Sequence, residues 1–165
     1  MGTTTERAPA PAWPDWHPGE RAVQARLGLA AYVPPSAVVD GLPSQHRLFY
    51  ATRLAYLPVA TLDEDGRPWA SLLTASDGRP GFIESDDANN MTIHAHVYPG
   101  DPIRRNAKLG STGLFAAVGV EGSTGRRNKF GGDFSLAREE GDNFQLDVAI
   151  KFALGFVLIL TKCNF

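Results

Sequence analysis

From residue 56 onward the chain reads as short apolar blocks separated by turn residues: YLPVATL, RPWASLLT, GFIES, MTIHAHV, GLFAAVGVE, RRNKF, DFSLARE and FQLDV, with Gly, Asp, Asn and Pro clustered between them. Blocks of this length, rich in β-branched and aromatic residues, predict strands, and their close spacing leaves no room for the crossover helices of a parallel sheet. The pattern therefore predicts an antiparallel barrel or sandwich. Its clearest local feature is the hairpin in which DEDG joins YLPVATL to RPWASLLT, with Asp65 and Gly66 at the bend. Another turn is expected at Gly131 and Gly132, between RRNKF and DFSLARE. Ahead of the strands, two short helices are expected. Pro18 suits an early helical position and Gly28 a stop, while Ser44 is placed to cap a helix with apolar positions at Leu48, Phe49 and Leu54.

The 165 residues suffice for one domain with its own core, and 43% apolar with 21% charged residues is an ordinary globular composition. A formal net charge of -2 offers no general attraction for a polyanion, so nucleic acid is not an expected partner. The single cysteine, Cys163, can form neither an internal disulfide nor a cysteine-based zinc site, which fits a reducing, cytoplasmic compartment. The N-terminal stretch lacks the apolar segment of a secretory signal. Pro9, Pro11 and Pro14 deny it a regular element, so residues 1–15 are expected to be disordered. The longest apolar run, Phe152 to Leu160, is far shorter than the ~20 residues that cross a bilayer, and no membrane span is expected. Neither a dinucleotide-binding fingerprint nor a P-loop occurs.

Candidate chemistry concentrates in the strands. After the Asp65 bend, alternation puts Arg67, Trp69, Ser71 and Leu73 on one face and Pro68, Ala70, Leu72 and Thr74 on the other. In RRNK, Arg126 and Asn128 face one way and Arg127 and Lys129 the other, so one pair can enter a pocket while the second stays solvated. His94 and His96 share a face at strand spacing, but no third ligand stands nearby, and neutral or solvent-facing histidines are expected rather than a metal site. His46 is expected to pack or cap. No Ser/His/Asp or paired-carboxylate pattern supports hydrolysis.

Taken together, ATLDEDGRPWASLL, GFIES and VGVEGSTGRRNKFGG, preceded by WHPGE at Trp16–Glu20 and by the stretch His46–Tyr50, resemble the pyridoxamine 5'-phosphate oxidase-like, FMN-binding split barrels over residues 16–148. The resemblance implies a mainly β, six-stranded antiparallel split barrel of Greek-key type with short N-terminal helices. It also implies a homodimer that holds FMN near the subunit interface. The activity it implies is that of an oxidoreductase in which the flavin carries the electrons, with catalytic residues and small-molecule substrate left unassigned. Alternatives are a non-catalytic module for another flat cofactor, haem or a deazaflavin, and an inactive truncated barrel. For FMN the resemblance points to Trp69, Ala70, Ser71 and Leu72 beside the ring, with Arg67 on the same strand. It points to Ser85 at the phosphate. From the RRNK alternation, Arg127 or Arg126 is expected to reach the phosphate as well, with Asn128 a further cofactor-binding candidate. Haem would need an axial ligand, His94 or His96.

The resemblance ends at FQLDV. Where its members continue with a Ser-, Gly- and Cys-containing segment, this chain reads AIKFALGFVLILTKCNF. Residues 149–165 are therefore expected to form an atypical apolar tail, such as a truncated or mis-spliced gene would produce.

Overall fold

The computed structural model describes residues 18–28, 38–108 and 111–157, and the expected disordered segment 1–15 lies outside them. Residues 1–37 and 38–165 form two separate units. In the first, helix α1 (Pro18–Arg26) begins at its proline and gives way at Gly28, whose φ of 66° is the left-handed conformation that ends a helix without a Cβ clash.

The second unit opens with β1 (Val38–Val39) and α2 (Ser44–Arg53). It continues through β2 (Tyr56–Leu62), β3 (Pro68–Thr74), β4 (Ile83–Glu84), β5 (Asn90–His96), the short helix α3 (Ile103–Asn106), β6 (Thr112–Glu121), β7 (Arg126–Glu140) and β8 (Asn143–Val157). The strand order is β1-β8-β7-β6-β2-β3-β5-β4, and β5 also pairs with β8. That extra pairing closes β2, β3, β5, β8, β7 and β6 into a six-stranded ring, the antiparallel split barrel that the block pattern and the resemblance predict. The split falls between β3 and β5, which share the single pair Thr74 with His96. The expected hairpin is present: Gly66 takes a φ of 77°, and Asp63 Oδ1 accepts the backbone N–H groups of Asp65 and Arg67 at 3.0 and 2.8 Å. No described helix is long and apolar enough to cross a membrane.

Helix α2 lies against β6, β7 and β8. It buries His46, Phe49 and Tyr50, positions three and four apart that share one helical face. Gly119 permits the close approach, since a Cβ there would come within 2.7–2.8 Å of Phe49, Leu54 and Tyr50. Ser44 is not the cap. Pro43 takes the N-cap position, its carbonyl accepts from the N–H groups of His46 and Arg47 at 2.8 and 3.1 Å, and no side chain caps the helix.

Two further expectations fail for a physical reason. Gly131 and Gly132 do not form a turn, because β7 runs straight through them, and the reversal comes at Gly141 with a φ of 61°. These glycines answer instead to crowding. A Cβ on Gly132 would stand 1.9 Å from the Ala149 carbonyl oxygen, and one on Gly131 would stand 2.4 Å from the Phe152 ring. Nor does the pairing stop at Val148: β8 continues to Val157, and residues 158–165 lie outside the described set. The alternation is hidden by a bulge. Gly131 pairs with Phe152 and Gly132 with Ile150, which leaves Lys151 as the extra residue. Before it the buried positions are Phe144, Leu146, Val148 and Ile150; after it the buried position is Ala153.

Candidate functional site

The outward face of β3, β2, β6, β7 and the end of β8 is unusually apolar. The registers place Ala70, Ala60, Ala116, Gly131 and Phe152 in one row across those five strands. Three methyl groups and a glycine make a flat floor. Leu62 and Leu114 stand to one side of it and Leu72 to the other, 37%, 56% and 47% exposed. Along this floor runs a groove of about 290 Å³ lined by Ala60, Leu62, Leu114, Phe115, Ala116, Gly132, Lys151 and Phe152.

At Leu62 and Leu114 the groove meets a second one of about 230 Å³, whose lining includes Asp63, Glu64, Arg105, Asn106 and Lys108. The segment around α3 delivers those cations. Asp101 Oδ1 accepts from the Ser71 hydroxyl at 2.5 Å and from the Ile103 N–H at 2.9 Å, and Asn106 donates to the Thr61 hydroxyl at 3.0 Å. Arg104 donates to the Val97 carbonyl and pairs with Asp142. With these groups fixed, Arg105 is left outside, its guanidinium 5.0 Å from the centre of the Trp69 ring. The Trp69 indole donates to Asp63 Oδ2 at 2.8 Å. That bond, with the Arg67 N–H next, holds the Asp63 carboxyl below its ordinary range. Lys108 meets Glu64 at 3.7 Å with both side chains largely in water, a pair of little strength. The end therefore presents Arg105 and the weakly paired Lys108 beside the carboxylates of Asp63 and Glu64. A flat apolar floor leading to these two cations suits a flat ligand whose anionic group displaces the Glu64 contact.

The residues read from the sequence divide around this groove. Ala70 and Leu72 lie on the same outward sheet face but outside the groove's lining, and Trp69 and Arg67 stand next to the charged end through Asp63, with Arg67 also pairing with Asp65 at 2.7 Å. Ser71 points the other way, into the barrel, with its hydroxyl engaged by Asp101. Ser85 is also engaged, donating to the carbonyls of Asp87 and Asn90, each at 2.9 Å. Beside it, backbone and side-chain donors of Asn89 and Asn90 keep the Asp87 carboxyl below its ordinary range, so a negative charge stands where a phosphate was expected.

Arg126, Arg127 and Asn128 are not brought to the groove. Trp69, Thr61, Phe115 and Gly132 form a row across the sheet, and Asn128 lies four residues beyond Gly132, about 13 Å at the rise of a strand, toward α2. There Arg126 sits over the Phe49 ring at 4.7 Å and donates to the Gln45 carbonyl at 3.3 Å. Tyr50 donates to the Asn128 carbonyl at 2.6 Å, and burial raises the Tyr50 pKa. His46 packs against Gly155, and its pKa is lowered by burial first and by the Arg126 charge second. Arg127 points outward, exposed. Within one chain the named residues therefore fall at two separate ends. Arg105 and Lys108 went unnoticed because IRRNAK has neither strand nor long-helix periodicity. Their signal was the density of cations just after Asp101-Pro102.

His94 lines a different cleft of about 470 Å³, together with Arg79, Phe82, Arg138 and Phe144. Its Nε2 stands 3.8 Å from Glu84, and no group of three metal-ligating side chains occurs among the described residues.

No protein-family model and no curated protein sequence matches the chain. Among solved structures it is similar to a histidine-to-alanine variant of HupZ from Group A Streptococcus, with a TM-score of 0.50 and 12% identity over 69% of this chain and 98% of that one. A second likeness is to the FAD binding protein from Mycobacterium smegmatis, with a TM-score of 0.43 and 13% identity over 73% and 99% of the two chains. The first supports the barrel fold alone. The second, at its lower score, adds nothing to it.

Proposed function

We propose that the chain is an FMN-binding oxidoreductase of the pyridoxamine 5'-phosphate oxidase-like kind, acting as a homodimer in the cytoplasm. One observation carries the reading: the alanine floor of the outer groove opens at Leu62 and Leu114 onto Arg105 and Lys108. The floor would hold the ring, and the two cations would hold the phosphate. When bound, FMN supplies the electron-transfer chemistry, while the protein binds the ring and shields it from water. A second copy laid on the same face would cover Leu62, Leu72, Leu114 and Phe152, an exposed cluster of the kind that marks an interface.

Titrating the purified protein with FMN, with flavin fluorescence and the visible spectrum as readouts, tests the reading. Saturable quenching is expected for the wild type, and its loss in Ala116→Trp, which fills the floor. A colourless preparation that takes up no FMN would falsify it. Haem is the second reading, favoured by His94 lining its own cleft beside Arg79 and Arg138. It predicts a Soret band on adding haem that disappears in His94→Ala.

A further inference from the structure

The cleft that His94 lines owes its chemistry to a second bulge. Leu136 pairs with Leu146 and Arg138 with Gln145, which leaves Ala137 as the extra residue of β7. In unbroken register Arg138 would stand opposite the buried Phe144; the bulge sets it beside Gln145 on the outer face instead. Gln145 in turn pairs with His94 of β5, so Arg138, Gln145 and His94 form one row on three strands about 4.8 Å apart. The loop between β3 and β4 supplies the rest of the lining. Gly78 and Gly81, at φ of 69° and 113°, turn that loop, which brings Arg79 and Phe82 to the cleft. Arg79 makes no ion pair among the described residues, whereas Arg138 meets Glu140 with both side chains mostly in water. The other carboxylate of the lining, Asp77, accepts the Arg79 N–H of its own loop at 3.0 Å, and Gln145 spends only a long contact of 3.4 Å on Asp147. Phe82, Ala95 and Phe144, side chains of the core, complete the lining.

We propose that this cleft of about 470 Å³ is a second ligand site, one for a small aromatic carboxylate. The planar guanidinium groups of Arg79 and Arg138 match a carboxylate, the Gln145 amide adds a donor in the same row, and Phe82 and Phe144 offer their rings to an aromatic body. The ligand exchanges a weak surface pair, Arg138 with Glu140, for charge-assisted contacts beside an apolar wall, where water screens them less. A carboxylate without the aromatic body loses the apolar contact, and the body without the charge leaves Arg79 unpaired, so both parts are needed. The inference does not rest on the FMN reading, whose groove and charged end share no lining residue with this cleft.

The test is calorimetric titration of the full chain with 2-naphthoate, its neutral isostere 2-naphthamide, and acetate, with circular dichroism to confirm that each variant is folded. Saturable binding of 2-naphthoate is expected, with 2-naphthamide and acetate at least about tenfold weaker. Arg79→Gln with Arg138→Gln should weaken 2-naphthoate about tenfold and leave 2-naphthamide unchanged. Glu140→Gln, which frees Arg138, should strengthen it. Arg127→Gln with Lys129→Gln makes the same change in net charge elsewhere and should have no effect. Binding of 2-naphthoate that does not saturate, equal binding of 2-naphthamide, or equal losses in the two double variants overturns the inference. Competition by excess FMN would merge the cleft with the flavin site and overturn it as a second site, while leaving FMN binding intact. A Soret band on adding haem that His94→Ala abolishes would give the cleft to haem, and overturns it too. A chain that takes 2-naphthoate in this way but no FMN upholds the cleft and removes the FMN reading.

Discussion

The two arginine-rich ends of the barrel have similar sequences and opposite uses. RRNK enters β7 beside α2, where Arg126 lies on Phe49 and donates to a helix carbonyl, Tyr50 holds the Asn128 backbone, and Asn128 itself is 1% exposed. RRNAK begins in α3 and runs two residues past its end; Arg104 and Asn106 are spent on the fold, and Arg105 and Lys108 are left facing a groove. A cation is available to a ligand only when the fold has not already satisfied it. The difference lies in neighbours, since both segments carry adjacent arginines followed by an asparagine.

The sharpest break in the comparison is expected at Gly132, which serves the fold and the groove at once. Gly132→Val would force a side chain into the Ala149 carbonyl, and a loss of about 3 kcal/mol or more in urea-denaturation stability is expected. A near-neutral result would mean that β8 can shift away from β7, and the groove floor with it. Next in size is a pair of double neutralisations. Arg105→Gln with Lys108→Gln should weaken FMN binding about tenfold, roughly 1.4 kcal/mol, with little change in melting temperature. Arg126→Gln with Arg127→Gln should do the reverse, leaving FMN affinity unchanged and lowering the melting temperature as the contact with Phe49 is lost. If both doubles lose affinity equally, the ends are not functionally distinct.

The smallest effect concerns His46. Its folded pKa lies below the ordinary 6.5, so the unfolded chain takes up the proton first as pH falls. Stability is therefore full above about pH 6.5 and declines below it, until the folded form is protonated too. Melting curves between pH 7.5 and 5.5 should show this decline, and His46→Gln should flatten it. An equal slope in both proteins would remove His46 from the account of the α2 end.

The hairpin at Asp65 was readable because its signals are local: alternation on each side, an acidic turn, and a glycine with positive φ. The antiparallel class was readable too, from the spacing of short apolar blocks. The twin glycines misled because glycine marks both turns and crowding, and only the approach of Ala149 and Phe152, far along the chain, distinguishes the two. The apparent tail misled for a related reason. One bulged lysine shifts the phase of β8, so a paired strand looks like a run without alternation.

Alternation along the strands and the turn residues between them thus determine, from the chain alone, that this protein is an antiparallel β structure, because those preferences act over a few residues. Which arginines remain free, which serine hydroxyls are engaged, and that alanines from three strands join a glycine and Phe152 in one floor depend on residues far apart in sequence. They become neighbours only when the ring of strands closes, and with that closure the contacts that spend one arginine and leave another facing the groove come into being.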